Sequence, residues 1–274
     1  MKIFVYNDSK TGCRLLIFPL LFFFGLLLFL YFNHALCVEG YVSIQKDYFY
    51  QINAFFGQYP NTMNNLTQLG DASVLLSFLI IFVIYAPKIW ESLISALVTS
   101  ALLTYLLKGL FGIPRPAQIL TNNNFIIIGK KLVGFSSLPS GHSCTVLTIF
   151  TVVLFAFMPK KTNYKIIWVF IILSFGILIA FSRVGVGAHF PLDVIFGSIQ
   201  GFTSGLIGIY ITQNFTICRW VHNQKYWCIF IIFIIVCSIT LINKIFAENL
   251  VVYYLAFLSL IISFYKFVYV YFKK

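Results

Sequence analysis

Eight apolar runs divide this chain, at about 15–32, 72–86, 89–107, 143–158, 166–182, 191–212, 227–243 and 250–271. A run of about 18 or more such residues is long enough to cross a bilayer as a helix. Leu15–Phe32 is the clearest case, with Lys2, Lys10 and Arg14 before it. It is too long for the apolar part of a signal peptide, and Asn33–His34–Ala35 is a poor cleavage site, so a retained helix is expected. Composition points the same way, with 60% hydrophobic and 9% charged residues. Mean hydropathy is +0.94. Pro87 separates the second and third runs, and Met158–Pro159–Lys160–Lys161 ends the fourth. The expected fold is all-α: a polytopic integral membrane helix bundle of six core helices plus about two C-terminal helices. Two longer polar stretches, 33–71 and 108–140, are expected as loops.

A net charge of +12 raises nucleic acid as a partner. Here the basic residues lie between apolar runs and form no soluble face, so membrane orientation and lipid headgroups explain them and nucleic acid is not expected. With the N-terminus on the cytoplasmic side, twelve of the 19 Lys and Arg fall inside, among them Lys88, Lys160, Lys161, Lys165 and Arg219. The six cysteines, Cys13, Cys37, Cys144, Cys218, Cys228 and Cys237, show no CxxC spacing and no zinc-like pattern with His. Neither a metal site nor a disulfide framework is expected. His34 and His222 stand alone and read as interfacial, and Glu91 reads as an interfacial charge beside Trp90.

Three polar clusters interrupt the apolar pattern. Ionisable groups at membrane level are expensive, which makes them functional candidates. Lys108 and Arg115 flank a turn at the end of the third run, and Pro114 and Pro116 hold Arg115 extended. An Arg fork matches phosphate oxygens, and Lys adds a point charge. Pro139–Ser140–Gly141–His142 precedes the fourth run. Ser140 suits an N-cap, Gly141 permits close backbone approach, and a helix N-terminus favours an anion. Ser182–Arg183 closes the fifth run, and His189 and Asp193 open the sixth across Pro191. Residues four apart share a helical face, so a His189–Asp193 hydrogen bond is feasible and would leave the other ring nitrogen free to attack. Gly185 and Gly187 are expected to let the backbone wrap a bound phosphate. Three cations suit a phosphate, while a His–Asp pair and a second His suit a nucleophile and a general acid. The charge assignment places all three clusters on the non-cytoplasmic side.

Together the clusters resemble the signature of the type-2 phosphatidic acid phosphatase superfamily: Lys, six residues, Arg-Pro; Pro-Ser-Gly-His; Ser-Arg, five residues, His, three residues, Asp. Every position matches, and the resemblance covers about 72–212. It implies a metal-independent phosphohydrolase with no cofactor, working through a phosphohistidine. His189 would be the nucleophile, Asp193 its orienting partner and His142 the acid for the leaving group. Lys108, Arg115, Ser140, Gly141 and Arg183 would hold the phosphoryl oxygens. The chain then divides into an N-terminal transmembrane helix with an outer loop (1–71), a phosphatase core (72–212) and two additional C-terminal helices (213–274).

Resemblance to bacterial members implies an inner-membrane protein whose site faces the periplasm. The expected partner is a phosphorylated membrane lipid, foremost undecaprenyl diphosphate, with lipid A and phosphatidylglycerophosphate as alternatives. A phosphotransferase acting on a second lipid is a further alternative. A non-catalytic anionic-lipid transporter or scaffold would not require both histidines.

Overall fold

The structure, a computed structural model, describes residues 13–120 and 125–272. Lys2, Asp8, Lys10, Lys273 and Lys274, which enter the charge assignment, lie outside them, as does the side chain of Arg14. The first apolar run is helix α1 (Ile17–Phe32). The stretch that follows is helical where a loop was expected: α2 (Val38–Ser43), α3 (Lys46–Gly57) and α4 (Pro60–Gln68) fill most of 33–71. The average polarity of these segments conceals amphipathic faces. Phe49, Asn53 and Gly57 of α3 are buried at helical spacing, as are Met63 and Thr67 of α4. Such short helices hold only when an apolar face packs on something larger. Here that support is α10, against which both α3 and α4 lie.

The second run is broken, with α5 (Ala72–Leu79) and α6 (Phe82–Tyr85) on either side of Ile80–Ile81. Pro87 then opens α7 (Pro87–Phe111), followed by the short α8 (Pro116–Ile119), α9 (Gly141–Ala156), α10 (Thr162–Gly185) and α11 (Pro191–Asn214). The chain closes with α12 (Trp227–Ala247) and α13 (Val251–Phe272). Among the described residues five segments, built on α7, α10, α11, α12 and α13, are long and apolar enough to cross a membrane; α1 and α9 are apolar but shorter. No strand forms among the described residues. The bundle is therefore all-α, and its eight apolar elements follow the eight runs of the sequence.

Helix α11 is the axis. In its most apolar window 56% of residues are buried, against 17% for α7 and 22% for α10 and α12. Between helices in lipid, association relies on close packing, which small residues permit. Gly197, Gly201 and Gly205 form such a stripe toward α9: a Cβ on Gly197 would lie 2.7 Å from the Ser140 carbonyl, and one on Gly201 2.4 Å from that of Cys144. On the α7 side, a Cβ on Gly208 would lie 2.4 Å from Ala96 Cβ. Polar links reinforce the same seams. Gln200 Nε2 donates to the Ser100 carbonyl (3.0 Å), and its Oε1 accepts from Thr104 (3.1 Å) and Cys144 (2.6 Å). Such groups belong inside the bundle, where each finds a partner.

The chain's path puts the C-terminal ends of α7 and α10 and the N-terminal ends of α9 and α11 at one end of the bundle, so all three clusters meet there. At the opposite end Glu91 is buried and pairs with His222 Nε2 at 2.8 Å. This corrects the expectation that the two residues are separate interfacial groups: the turn after α11 carries His222 back onto α7.

Gly208→Val should destabilise the bundle by about 1–3 kcal/mol, the usual cost of overpacking a close contact. Gly25→Val, with nothing within 4 Å of its added Cβ, should be nearly neutral. Thermal unfolding of the two variants in the same detergent provides the comparison.

Candidate active site

The site is assembled from helix ends. Lys108 sits in the last turn of α7, which stops at Gly112 in the left-handed region (φ 54°). Arg115 follows in extended conformation, as the flanking prolines require, with ψ 158°. Its N–H bonds the Gly134 carbonyl at 2.9 Å, which fixes where the guanidinium departs. Arg115 Nη1 donates to the Ala188 carbonyl (3.2 Å) and approaches His189 Nε2 (3.2 Å).

Ser140 occupies the N-cap of α9, but its hydroxyl makes no capping bond there. It accepts instead from Ser143 Oγ at 2.9 Å. This departs from the expected cap and leaves the helix N-terminus open toward an anion. The Ser140 N–H donates to the Asp193 carbonyl (3.0 Å), which stitches the second cluster to the third. A Cβ on Gly141 would lie 4.0 Å from Lys108 Nζ, so the first two clusters also meet. His142, in the first turn of α9, packs against the turn between α4 and α5: a Cβ on Gly70 would come within 2.8 Å of His142 Cβ.

Arg183 ends α10 and is buried, with Nη1 donating to Thr67 Oγ1 of α4 at 2.8 Å. Asn53 of α3 clamps the same turn, donating to the carbonyls of Val184 (3.2 Å) and Gly185 (2.9 Å). Between and beside Gly185 and Gly187, Val186 and Ala188 line a cavity with Arg183 and His142, and the glycines themselves pack against neighbouring chain. A Cβ on Gly185 would lie 2.7 Å from Phe56 Cβ, and one on Gly187, at φ 76°, would lie 2.7 Å from the Ile126 carbonyl oxygen. They admit neighbouring chain where no side chain fits.

Asp193 is fully buried. One carboxylate oxygen accepts from Tyr41 Oη (2.8 Å); the other accepts from Ser137 Oγ (2.6 Å) and the Phe190 N–H (2.9 Å). His189 Nδ1 stands 3.5 Å from that second oxygen, beyond ordinary N–H···O range, and 3.3 Å from Ser137 Oγ. The direct His–Asp hydrogen bond expected from the spacing is thus largely relayed. With Ser137 donating to Asp193, its oxygen can accept from His189 Nδ1. That tautomer leaves the Nε2 lone pair facing Arg115. Burial pushes His189 down to about 4, against the opposing pull of Asp193, so the ring is neutral at ordinary pH. Tyr41 is driven well above its usual value, first by burial and then by the adjacent carboxylate, and remains a protonated donor.

All eight predicted residues therefore gather at one end of the bundle. Sequence reasoning missed Tyr41, Ser137 and Thr67, which lie in loops or short helices with no distinguishing spacing. The only available signal was general: a buried carboxylate needs donors beyond one histidine. Two cavities lined by described residues adjoin the cluster. One, of about 190 Å³, is lined by Thr67, Asp71, His142, Arg183 and Glu248 among others. The second, of about 470 Å³, reaches from Lys108, Gly141 and Thr145 along Leu97, Ala101 and Tyr105 of α7.

Comparison with known proteins places this geometry. The family model described as the PAP2 superfamily matches residues 89–217, which hold all three clusters and stop short of α12. Phosphatidylglycerophosphatase B of Bacillus subtilis (strain 168) is 29% identical over 163 residues, covering 56% of this chain and 73% of the relative. Lipid A 1-phosphatase of Rhizobium etli is 34% identical over 119 residues, covering 43% of this chain and 48% of the relative, so the chain spans about half that protein's length. The crystal structure of Aquifex aeolicus LpxE superposes with a TM-score of 0.50 at 28% identity, covering 61% of this chain and 94% of that one.

Tyr41→Phe removes one of the donors to a fully buried carboxylate. It should cost about 1–3 kcal/mol, the penalty for a buried acceptor left unpaired. Tyr59→Phe, at an exposed position, should be silent. Denaturant or thermal unfolding of the two proteins tests the difference.

Proposed function

We propose that this chain, whose residues 89–217 form a PAP2 superfamily domain, hydrolyses a membrane lipid phosphate through a phosphohistidine on His189. The observation that carries the mechanism is the setting of His189. Its ring is buried and neutral, Nδ1 is turned toward Ser137 and Asp193, and Nε2 stands 3.2 Å from the Arg115 guanidinium. A phosphoryl group held by that guanidinium lies within reach of the nucleophilic nitrogen.

In the first step Nε2 of His189 attacks phosphorus, the bond to the lipid oxygen breaks, and His142 gives its proton to that oxygen. Asp193 stabilises the positive charge that grows on His189, directly and through Ser137. Lys108, Arg115, Arg183 and the amides at the start of α9 hold the three phosphoryl oxygens. Phosphoryl transfer depends on such positioning and charge more than on covalent assistance. In the second step His142 takes a proton from water, the water oxygen bonds phosphorus, and the P–N bond breaks to release inorganic phosphate.

The larger cavity supports a lipid as the leaving group. It runs from the cationic end along an apolar wall of α7, where Leu97, Ala101 and Tyr105 would accompany an acyl chain. The relatives' names favour a phosphate monoester on a headgroup, as in phosphatidylglycerophosphate, over undecaprenyl diphosphate, with lipid A 1-phosphate as the second reading. The basic residues favour an outward-facing site in a bacterial inner membrane, since Lys88, Lys160, Lys161, Lys165 and Arg219 cluster at the opposite, cytoplasmic end.

His189→Ala should lower turnover of phosphatidylglycerophosphate by at least about 10³-fold, the scale of losing a positioned nucleophile. Rapid-quench labelling of the wild type with ³²P-substrate should place acid-labile phosphate on His189; label on His142 instead reverses the two roles.

Sidedness is read separately, in a background with the native cysteines replaced. A thiol at Val133, exposed beside the site, should react with impermeant maleimide in intact spheroplasts. A thiol at Asn163, at the other end, should react only after lysis. The opposite pattern would invert the topology and place the substrate phosphate in the cytoplasmic leaflet.

A further inference from the structure

Helices α12 and α13 lie beyond the PAP2 match, yet they reach the site. α13 packs along α5 and α4, and α12 against α5. The end of α12 delivers Lys244, whose Nζ meets Asp71 Oδ2 at 2.6 Å. The turn to α13 is tied to α4 twice. Asn64 Nδ2 approaches Glu248 Oε2 at 3.4 Å, and the Val252 N–H donates to Asn65 Oδ1 at 3.1 Å.

Asp71 is placed where this matters. It is the N-cap of α5, with Oδ1 accepting the Ser73 N–H at 2.8 Å. The preceding residue, Gly70, lies against the His142 ring, where a Cβ would come within 2.9 Å of Cδ2. Asp71 and His142 line the same cavity. The groups facing His142 from the other elements are mostly cationic: Arg183 from α10, Lys244 from α12, and Lys108 near Gly141, with Lys130 on the same cavity wall. His189 faces it as a neutral ring. The carboxylates on that cavity are Asp71, beside the ring's supporting turn, and Glu248, at the α12–α13 turn. Burial raises Asp71, but Lys244 and Ser73 more than offset this and hold it below the ordinary carboxylate range, so it stays charged.

We propose that Asp71, anchored by Lys244 from outside the family domain, is a positioning residue for His142. The ion pair pins the Gly70–Asp71 turn under the imidazole, and the carboxylate opposes the burial and the cationic field that act against the proton His142 must donate. The C-terminal helix pair is thereby part of the active site. This rests on the reading of His142 as general acid.

The test is the pH dependence of kcat on a lipid phosphate for the full chain. Asp71→Asn keeps the N-cap acceptor for Ser73 but removes the charge. Its alkaline limb should move down by about one pH unit, the lower end of what a nearby opposite charge produces, with the acid plateau and KM little changed. Kcat above the limb should then fall about tenfold. Adding Lys244→Met to Asp71→Asn removes the ammonium left unbalanced and should return the limb toward wild type. Lys244→Arg alone should leave it in place. An unmoved limb in Asp71→Asn, whether or not the overall rate drops, would show a merely structural residue and overturn the proposal. The premise is checked with His142→Ala on an aryl phosphate, whose leaving group needs no proton. Recovery of most of the lost rate supports His142 as the acid, whereas no recovery removes that reading and this inference together.

Discussion

A carboxylate with no solvent exposure organises this molecule. A charge in a low-dielectric interior persists only if hydrogen bonds or counter-charges replace water, and Asp193 obtains hydrogen bonds from three parts of the chain. Tyr41 reaches it from α2, Ser137 from the loop before α9 and the Phe190 N–H from its own helix start, while His189 is linked to it through Ser137. Satisfying one buried group thus fixes the N-terminal helices, the central loop and α11 relative to one another. The His189 imidazole is oriented as a by-product of that requirement. Ser137 stands between ring and carboxylate, so the imidazole is held by a chain of two hydrogen bonds and less by direct contact.

The polar end is tolerable because the apolar remainder of the bundle is rigid. Glycines at 197, 201, 205 and 208 bring α11 close to α9 and α7, and Gln200 ties the same three helices through Ser100, Thr104 and Cys144. With the helix axes fixed, the ends that carry Lys108, His142, Arg183 and Asp193 are fixed as well. Arg183 shows the cost: it is buried beside other cations, and its Nε has no partner among the described residues. A cationic centre held in this way favours an anion that can complete it, which is why the arrangement suits a phosphoryl group better than a neutral ligand.

The N-terminal and C-terminal helices are easily taken for peripheral additions to a phosphatase core. Their contacts argue otherwise. α2 supplies Tyr41 to Asp193, α3 supplies Asn53 to the turn after Arg183, and α4 supplies Thr67 to Arg183 itself. α12 supplies Lys244 to Asp71, beneath His142. The side chains of the three clusters and the environment that tunes them are contributed by different parts of one chain.

What the sequence determined by itself was whatever depends on local pattern. The eight apolar runs dictated apolar helices, five of the described segments being long enough to cross a membrane, because hydropathy is a property of contiguous residues. The three clusters were equally legible, because Pro114–Arg115–Pro116, Ser140–Gly141–His142 and His189–Phe190–Pro191 place functional groups at helix ends by short-range rules. Only the tertiary structure decided that 33–71 is helical, since the amphipathic faces of α3 and α4 are stable only against α10. It alone brought Tyr41 and Ser137 to Asp193, over separations of 152 and 56 residues. It alone paired Lys244 with Asp71 and Glu91 with His222. A buried polar group states that it needs a partner, but which distant residue provides one is settled by how the helices pack.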